Sequence, residues 1–409
     1  MFGKQRTDVL VIGAGPVGLI TALHLRHRGL KVQVVDKTRR TRIHSYALAL
    51  HPRSLRLLDE LGLADELIEQ GHKVERVTMM EDLKTRLSLS LEDLPGSFPF
   101  VLVVPQRILE STLVAELSRR DVKVRWSQRV QSLDDSPTGV DADLARLIQV
   151  PSGYPIARLE WVVGKLLKSH CRYAVGADGY YSFARDQLDV EYRHITPRQT
   201  FSVFECESPI NPGNEMRIFR HNGMTNVYWP MSGGRCRFSF QINDEAEHEP
   251  LLERLNALIN ERAKWFPNIE ADIHWSGLIH FDGRLVENYG KDHIWLAGDA
   301  AHLTNPIGVQ SLNVGLAEGW ELARVIAAQI QGNDPTDTLE RYGVTRLREW
   351  DRLLGRDGGP HARDDADDWV RKHAKEIVSQ IPATGEDLTQ LLDQVGLEFG
   401  SAERETTTH

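Results

Sequence analysis

The stretch Asp8-Val9-Leu10-Val11-Ile12-Gly13-Ala14-Gly15-Pro16-Val17-Gly18, followed by a helical pattern to Arg28 and by Gly29, then Val32-Gln33-Val34-Val35-Asp36, decides how this chain reads. Asp8 to Ile12 has the length and apolar content of a buried strand. Gly29 marks the end of the helix, and Val32 to Val35 reads as a second strand. Glycines at the turn from first strand to helix, inside one strand–helix–strand unit, form a dinucleotide-binding pattern. Gly13 permits the tight turn, Gly15 lets a pyrophosphate approach backbone N–H groups at the positive helix end, and Gly18 allows close helix–strand packing. Asp36 stands near the position from which a carboxylate accepts hydrogen bonds from a ribose diol. The unit asks for an adenine dinucleotide and leaves FAD and NAD both open.

The apolar run from Val9 to Leu25 follows Lys4 and Arg6 but does not read as a secretory signal, because Asp8 enters it, glycines interrupt it and a second strand follows. The other long apolar stretch, Phe98 to Val104, is far short of a membrane span. With 409 residues, two or three packed units are expected, and 41% hydrophobic with 26% charged residues suits a soluble globular chain. Lysine and arginine total 49 against 58 acidic residues, a net charge of −9, which provides no basic footprint for nucleic acid. Cys171, Cys206 and Cys236 form no CxxC pair and read as small buried hydrophobes of a cytoplasmic protein.

Along the chain, the patterns predict a helix over His51–Leu67, strands over Val74–Leu91, a helix over Ile108–Leu117 and a strand over Val122–Trp126. Turns or an exposed hairpin are expected over Asp134–Glu160, where Pro and Gly recur. Alternation over Phe201–Gln241 predicts a separate sheet, Leu251–Trp265 a helix, and Ile273–Trp275 and Ile294–Ala297 strands. Closing helices are expected over Asp364–Phe399. The expected fold is mixed α/β. A Rossmann-like domain takes 1–73, 101–185 and 276–360, a β-sheet substrate domain takes 74–100 and 186–275, and a helical segment with a frayed tail takes 361–409.

Two further islands bear on the choice of dinucleotide. Tyr173-Ala174-Val175-Gly176-Ala177-Asp178-Gly179 is a strand ending in Asp-Gly, with Arg185 in the helix start that follows. Leu296-Ala297-Gly298-Asp299 is a strand ending in an acid, followed by Pro306-Ile307-Gly308-Val309-Gln310-Ser311-Leu312-Asn313 and a helix. In this order the three islands resemble the single-component flavin-dependent monooxygenases of the para-hydroxybenzoate hydroxylase type, over roughly Val9 to Ala323 with a weaker match at Tyr342 and Arg346.

The resemblance implies FAD as cofactor, with NADPH or NADH as reductant. Gly13, Gly15, Gly18 and Asp36 would hold the adenosine diphosphate half, and Gln106 and Arg107 the ribityl and phosphate. Asp299 would bind the ribityl hydroxyls, and Pro306, Gly308, Leu312 and Asn313 would lie near the isoalloxazine. Asp178 and Arg185 match a motif implicated in both FAD and NAD(P)H binding. His302 is read as a packing or capping residue. Two departures stand out: Tyr46 occupies the place where many members carry arginine, which puts flavin gating in question, and Val309 and Ser311 replace glycines beside the flavin.

By the same resemblance, the reaction would be hydroxylation of a small aromatic substrate by dioxygen through a flavin C4a-hydroperoxide, with no metal. Pocket candidates on the second sheet are Arg217, Phe219, Asn226, Tyr228, Arg237 and Phe240, on the expectation that alternate side chains face the flavin. The halogenase signature W-x-W-x-I-P is absent from all nine tryptophan contexts. The other readings are a two-component monooxygenase or epoxidase fed by a partner reductase, a non-catalytic FAD-binding sensor, and an NAD-only dehydrogenase, which leaves the Gly-Asp island unexplained. A monomer or homodimer is expected.

Overall fold

The computed structural model of the chain describes residues 5–40, 49–153, 158–243, 251–270, 272–332, 337–356 and 359–399. Its first sheet is built on four parallel strands in the order Ile294–Leu296, Arg158–Gly176, Gln5–Ile12 and Val32–Val35, with the short Val124–Arg125 beside the last. Apolar residues fill both faces of Gln5–Ile12: Val9, Leu10 and Val11 have no exposed surface. Such runs are what a parallel strand covered on both sides requires. The chain reverses into an antiparallel extension made by Gln128–Ser136, Gly139–Ser152 and Arg158–Gly176. The described part of the Asp134–Glu160 region is thus mostly long strand, with a turn at 137–138.

The helices Pro16–His27, Gln106–Arg119 and Gln310–Gln331 pack side by side and point the same way. Arg26 at the end of the first donates to the Arg120 carbonyl at the end of the second, 3.0 Å. Against the third, Val17 lies beside Gly315, Thr21 beside Gly319, His24 beside Trp320, and Arg28 beside Gln331. Gly315 and Gly319, four residues apart, let this helix approach without side chains between: a Cβ on Gly319 would sit 2.4 Å from Thr21 Oγ1 and 3.0 Å from the Val17 carbonyl oxygen.

The second sheet has seven strands in the order Ile273–Phe281, Gln199–Glu207, Arg235–Ile242, Met224–Met231, Glu215–His221, Arg76–Glu81 and Lys84–Ser90. One face, with Phe201, Val203, Met216, Ile218, Val227, Trp229 and Ile279, joins the main core shared with the first sheet. The opposite face forms a separate aromatic core under helix Leu251–Arg262, with Phe204, Phe219, Tyr228, Phe238, Phe240 and Phe266. The strand Ile273–Phe281 lies wholly in this sheet, so the boundary expected between 275 and 276 falls inside a strand. Tyr192–His194 pairs instead with Arg284–Val286, which also holds His302–Leu303.

The helix expected over His51–Leu67 is two helices, Pro52–Asp59 and Ala64–Gln70. Gly62, at φ +73°, takes the left-handed conformation that stops the first. The closing helices are Asp368–Gln380 and Gly385–Asp393. Among the described residues no helix is long and apolar enough to cross a membrane. All three cysteines are free and buried.

Replacing Gly319 with valine forces side-chain atoms into the Val17–Thr21 surface, so the Gly319→Val protein should lose about 3 kcal/mol in urea unfolding. Retention of full stability would show that the two helices can separate without cost.

Candidate functional site

The carboxyl ends of the parallel strands deliver Gly13, Asp36, Ala177-Asp178 and Ala297-Gly298-Asp299 to one edge of the sheet, the edge where open α/β sheets bind ligands. The three parallel helices open their N-termini at that end. The helix ends contribute partial positive charge there.

The glycines have separate duties. A Cβ on Gly13 (φ +105°) would sit 2.1 Å from the Ala177 carbonyl oxygen, and one on Gly18 would sit 2.1 Å from the Gly13 carbonyl oxygen. Both are packing positions. At Gly15 a Cβ would meet nothing within 4 Å, and no side chain caps the helix that begins there. Of the three, Gly15 alone borders open space at a helix N-terminus. Asp36 accepts from the Ala14 N–H at 2.7 Å through Oδ2 and from Thr38 N–H and Oγ–H at 2.7 and 2.6 Å through Oδ1. Its carboxylate thereby ties the second strand to the glycine turn.

Asp178 and Arg185 form a clamp. Asp178 accepts from Ser182 Oγ and the Phe183 N–H, capping the short helix Phe183–Gln187; burial raises its pKa above the ordinary aspartate value, against the pull of those bonds. Arg185 is buried, lies 4.0 Å from the Tyr192 ring centre, and donates to the carbonyls of Ala300 (3.1 Å) and Tyr180 (2.9 Å). Tyr192 donates its hydroxyl to the Asp299 carbonyl at 3.1 Å. The Asp-Gly island thus holds the backbone of the 3-10 turn Gly298–Ala300.

Glu318, one helical turn past Val314 on the third helix, secures the same turn from the other side. Fully buried, its carboxylate accepts from the Gly298 N–H (2.9 Å), His302 Nε2–H (2.8 Å), the Tyr289 hydroxyl (2.7 Å) and the Trp350 indole N–H (3.3 Å). Burial opposes its ionisation, but His302, the Gly298 amide and the Tyr289 hydroxyl outweigh it and keep the carboxyl below the usual glutamate range. His302 packs on Trp350 with ring centres 4.3 Å apart and has no exposed surface. No sequence signal marked Glu318, Tyr289 or Trp350; the Gly315/Gly319 spacing was the one legible trace of this packing.

Asn313 is a clip. Its Oδ1 accepts from the His51 N–H (2.8 Å) and Ser54 Oγ (2.7 Å), and its Nδ2 donates to the Ala49 (3.0 Å) and Val309 (2.9 Å) carbonyls. Val309, at φ +52°, turns the chain into the helix at a place suited to glycine. His51 donates Nε2–H to the Gly308 carbonyl at 2.8 Å, and complete burial pushes its pKa down to about 3. Pro306 and Leu312 are half-buried beside this loop.

The C-terminal segment, which carried no motif, covers the loop. A Cβ on Gly308 would lie 2.9 Å from the Ser379 carbonyl oxygen, and Gln310 donates Nε2–H to the Ile381 (2.7 Å) and Ala383 (3.0 Å) carbonyls. Helix Asp368–Gln380, which leads into this stretch, also reaches the second sheet, through Trp369 Nε1–H to Glu81 (2.8 Å) in its first turn and through Glu376 to Arg220. Gln106 opens the second helix and bonds Glu110 at 2.7 Å, while Arg107 beside it is exposed. Tyr46 lies outside the described residues.

Five of the six pocket candidates lie on the face of the second sheet turned away from the first. Phe219, Tyr228 and Phe240 belong to the aromatic core under helix Leu251–Arg262, Arg217 lies 4.3 Å from the ring centre of Trp265, and Asn226 bonds Arg262. Alternation selects one face or the other, and the sequence pattern does not say which is inside. Arg237 is on the face toward the first sheet, paired with Glu205 and lying 5.6 Å from the ring centre of Trp275; burial draws its pKa down while Glu205 draws it up, and burial prevails. Its neighbours there are Trp229, Val227, Ser239 and Val203.

The family described as "FAD binding domain" matches residues 6–356. A rifampicin monooxygenase of Streptomyces venezuelae is 28% identical over 348 residues, 83% of this chain and 68% of that protein. A pentachlorophenol 4-monooxygenase of Sphingobium chlorophenolicum is 24% identical, over 92% of this chain and 67% of its own length. The solved p-nitrophenol 4-monooxygenase of Pseudomonas putida superposes with a TM-score of 0.73 at 19% identity, covering 96% of this chain and 97% of that one. The chain spans between 60% and 68% of the length of the first curated relatives it matches.

Two outcomes follow from the buried network. Glu318→Gln leaves a donor where acceptors are needed and should cost about 3 kcal/mol in urea unfolding, against about 1 kcal/mol for Tyr289→Phe. Folded His51 stays neutral while the unfolded ring protonates below its ordinary value near 6.5, so stability is lost as pH falls from there toward 3. The loss from His51 should reach about 2 kcal/mol by about pH 5, and His51→Gln should flatten the pH dependence of the urea midpoint.

Proposed function

The chain belongs to the FAD binding domain family, and from that premise we propose that it is a flavin-dependent monooxygenase that hydroxylates an aromatic or phenolic small molecule with dioxygen, using NADH or NADPH as reductant. The observation that carries this reading is the convergence of three helix N-termini on one sheet edge, with open space at Gly15 where a side chain would otherwise fit. An anionic pyrophosphate needs that combination of backbone donors and room. The residues present therefore fit FAD.

In this reading the turn at Gly15 holds the pyrophosphate, Arg107 adds a positive charge, Asp299 takes the ribityl hydroxyls, and Asp36 borders the ribose. Asp178, Arg185 and Glu318 act one step back, by fixing the turn that carries Asp299. The N-terminus of helix Gln310–Gln331, with the Gly308–Asn313 loop before it, would supply partial positive charge to the redox-active part of the group. Bound FAD supplies the two-electron and oxygen-activating chemistry that amino-acid side chains lack.

The substrate is proposed to face Val203, Val227, Trp229, Arg237 and Ser239, the side of the second sheet turned toward the first. Mostly apolar and aromatic, that surface suits a flat ring and excludes water from the reacting atoms. The rifampicin and pentachlorophenol monooxygenases support an aromatic substrate.

The test is a visible spectrum of the purified protein before and after anaerobic NADH and NADPH, followed by oxygen uptake with a panel of phenols. Flavin bleaching by a nicotinamide, and phenol-stimulated turnover yielding a hydroxylated product, are expected. Bleaching only by dithionite would assign reduction to a partner protein or leave a sensor. Failure to bind FAD would overturn the reading.

Gly15→Ala gives a sharper check, since the new methyl group meets no protein atom and the backbone at φ −76° accepts alanine. The apo-protein should melt at nearly the wild-type temperature while FAD binds at least about tenfold more weakly, a difference of about 1.4 kcal/mol. Unchanged FAD affinity would remove Gly15 from the cradle.

A further inference from the structure

Cys206 and Cys236 face each other across two neighbouring strands of the second sheet. In the antiparallel pairing of Gln199–Glu207 with Arg235–Ile242 they share one rung, and their sulfurs are 3.7 Å apart. Two residues further along, the Ser208 N–H donates to the Gly234 carbonyl at 2.8 Å, so by alternation the cysteine rung is a hydrogen-bonded one. Such a rung holds its Cα atoms about 5.5 Å apart, inside the range that a disulfide spans. Bonding distance is about 1.7 Å closer than the present separation, a movement within reach of two side-chain rotations.

Both residues have no exposed surface and belong to the aromatic core under helix Leu251–Arg262, with Phe204, Phe238 and Tyr228. The third cysteine, Cys171, lies in the first sheet, where its sulfur is 3.6 Å from the Val140 carbonyl oxygen and burial pushes its pKa up to about 12. Two alanines or valines would fill the cysteine rung as well. Sulfur set against sulfur adds a chemistry that they lack.

We propose that Cys206 and Cys236 are a reversible redox site, oxidised by hydrogen peroxide to a cross-strand disulfide. The Cys206 thiolate attacks one peroxide oxygen, the O–O bond breaks, and the departing hydroxide takes up the thiol proton and leaves as water. Cys206 is then a sulfenic acid. The Cys236 sulfur attacks the Cys206 sulfur, the S–O bond breaks, and a second water leaves with the Cys236 proton. The two thiols lose two electrons and two protons, and one peroxide becomes two waters. Cys206 begins because the hydrogen bond from Cys236 keeps its thiol below the ordinary range against burial, whereas that bond and burial raise Cys236. Hydrogen peroxide is small and uncharged, which suits a buried pair.

The adjoining rung carries Glu205 and Arg237 on the opposite face. A bond between the sulfurs therefore tightens the two strands where they present that ion pair. On the reading that the substrate meets that face, oxidation changes substrate affinity.

The test treats the folded full chain with millimolar hydrogen peroxide, alkylates the remaining thiols in urea and maps peptides by mass spectrometry without reduction. A linked Cys206–Cys236 pair that dithiothreitol removes is expected, with Cys171 alkylated. Free thiols at both positions in a protein that stays folded by circular dichroism overturn the proposal, as does sulfinic acid at either position without the linked pair. The half-saturating concentration of a turnover-stimulating phenol should differ at least about fivefold between oxidised and reduced protein. Cys206→Ala and Cys236→Ala, checked for folding by melting temperature, should abolish that response to peroxide. Equal values for oxidised and reduced protein overturn the link to the substrate face. A protein that forms the disulfide but responds to no phenol counts against the functional reading and leaves the redox site standing.

Discussion

A buried carboxylate with nowhere to go organises the first unit. Glu318 has no exposed surface, and a charge in that position is tolerable only when its acceptor sites are filled. They are filled from four directions: a turn amide, an imidazole, a phenol and an indole. Since the amide belongs to Gly298 and the imidazole to His302, meeting the needs of the charge also fixes the turn that presents Asp299. Gly315 and Gly319 on either side of Glu318 let its helix lie directly against the first helix, so the same few residues set both the turn and the helix spacing.

The candidate cofactor residues thereby fall into two groups with different physics. Gly15 borders open space at a helix N-terminus and Arg107 is an exposed cation at the start of the second helix, while Asp299 sits on the turn that Glu318 holds. Gly13, Gly18, Asp36, Asp178, Arg185 and Asn313 are largely satisfied by the protein itself. They tie strand ends and turns to one another, and a ligand that arrives at rigid, mutually tied turns costs little ordering entropy.

The C-terminal helix connects this site to the second sheet. Its first turn meets the sheet through Trp369 and Glu81, and its end lies on the Gly308–Gln310 loop. A region without any chemical motif is in this way part of the site's architecture.

Local sequence determined the strand–helix–strand unit, the two later islands and the alternating sheet, because each is written in neighbouring residues: glycine where the backbone must turn, acids at strand ends, a period of two in a strand. It also carried the family resemblance, which rests on the same short stretches. Tertiary structure alone decided which face of the second sheet looks inward, because a period of two is unchanged when the faces are exchanged; Phe219 and Trp229 are equally apolar, yet one lies under a helix and the other faces the first sheet. It alone showed that Glu318 is a hub rather than one more helical acid, and that residues 379–383 cover a loop some 70 positions earlier in the chain. Those facts depend on contacts between residues far apart in sequence, and no spacing within a segment encodes them.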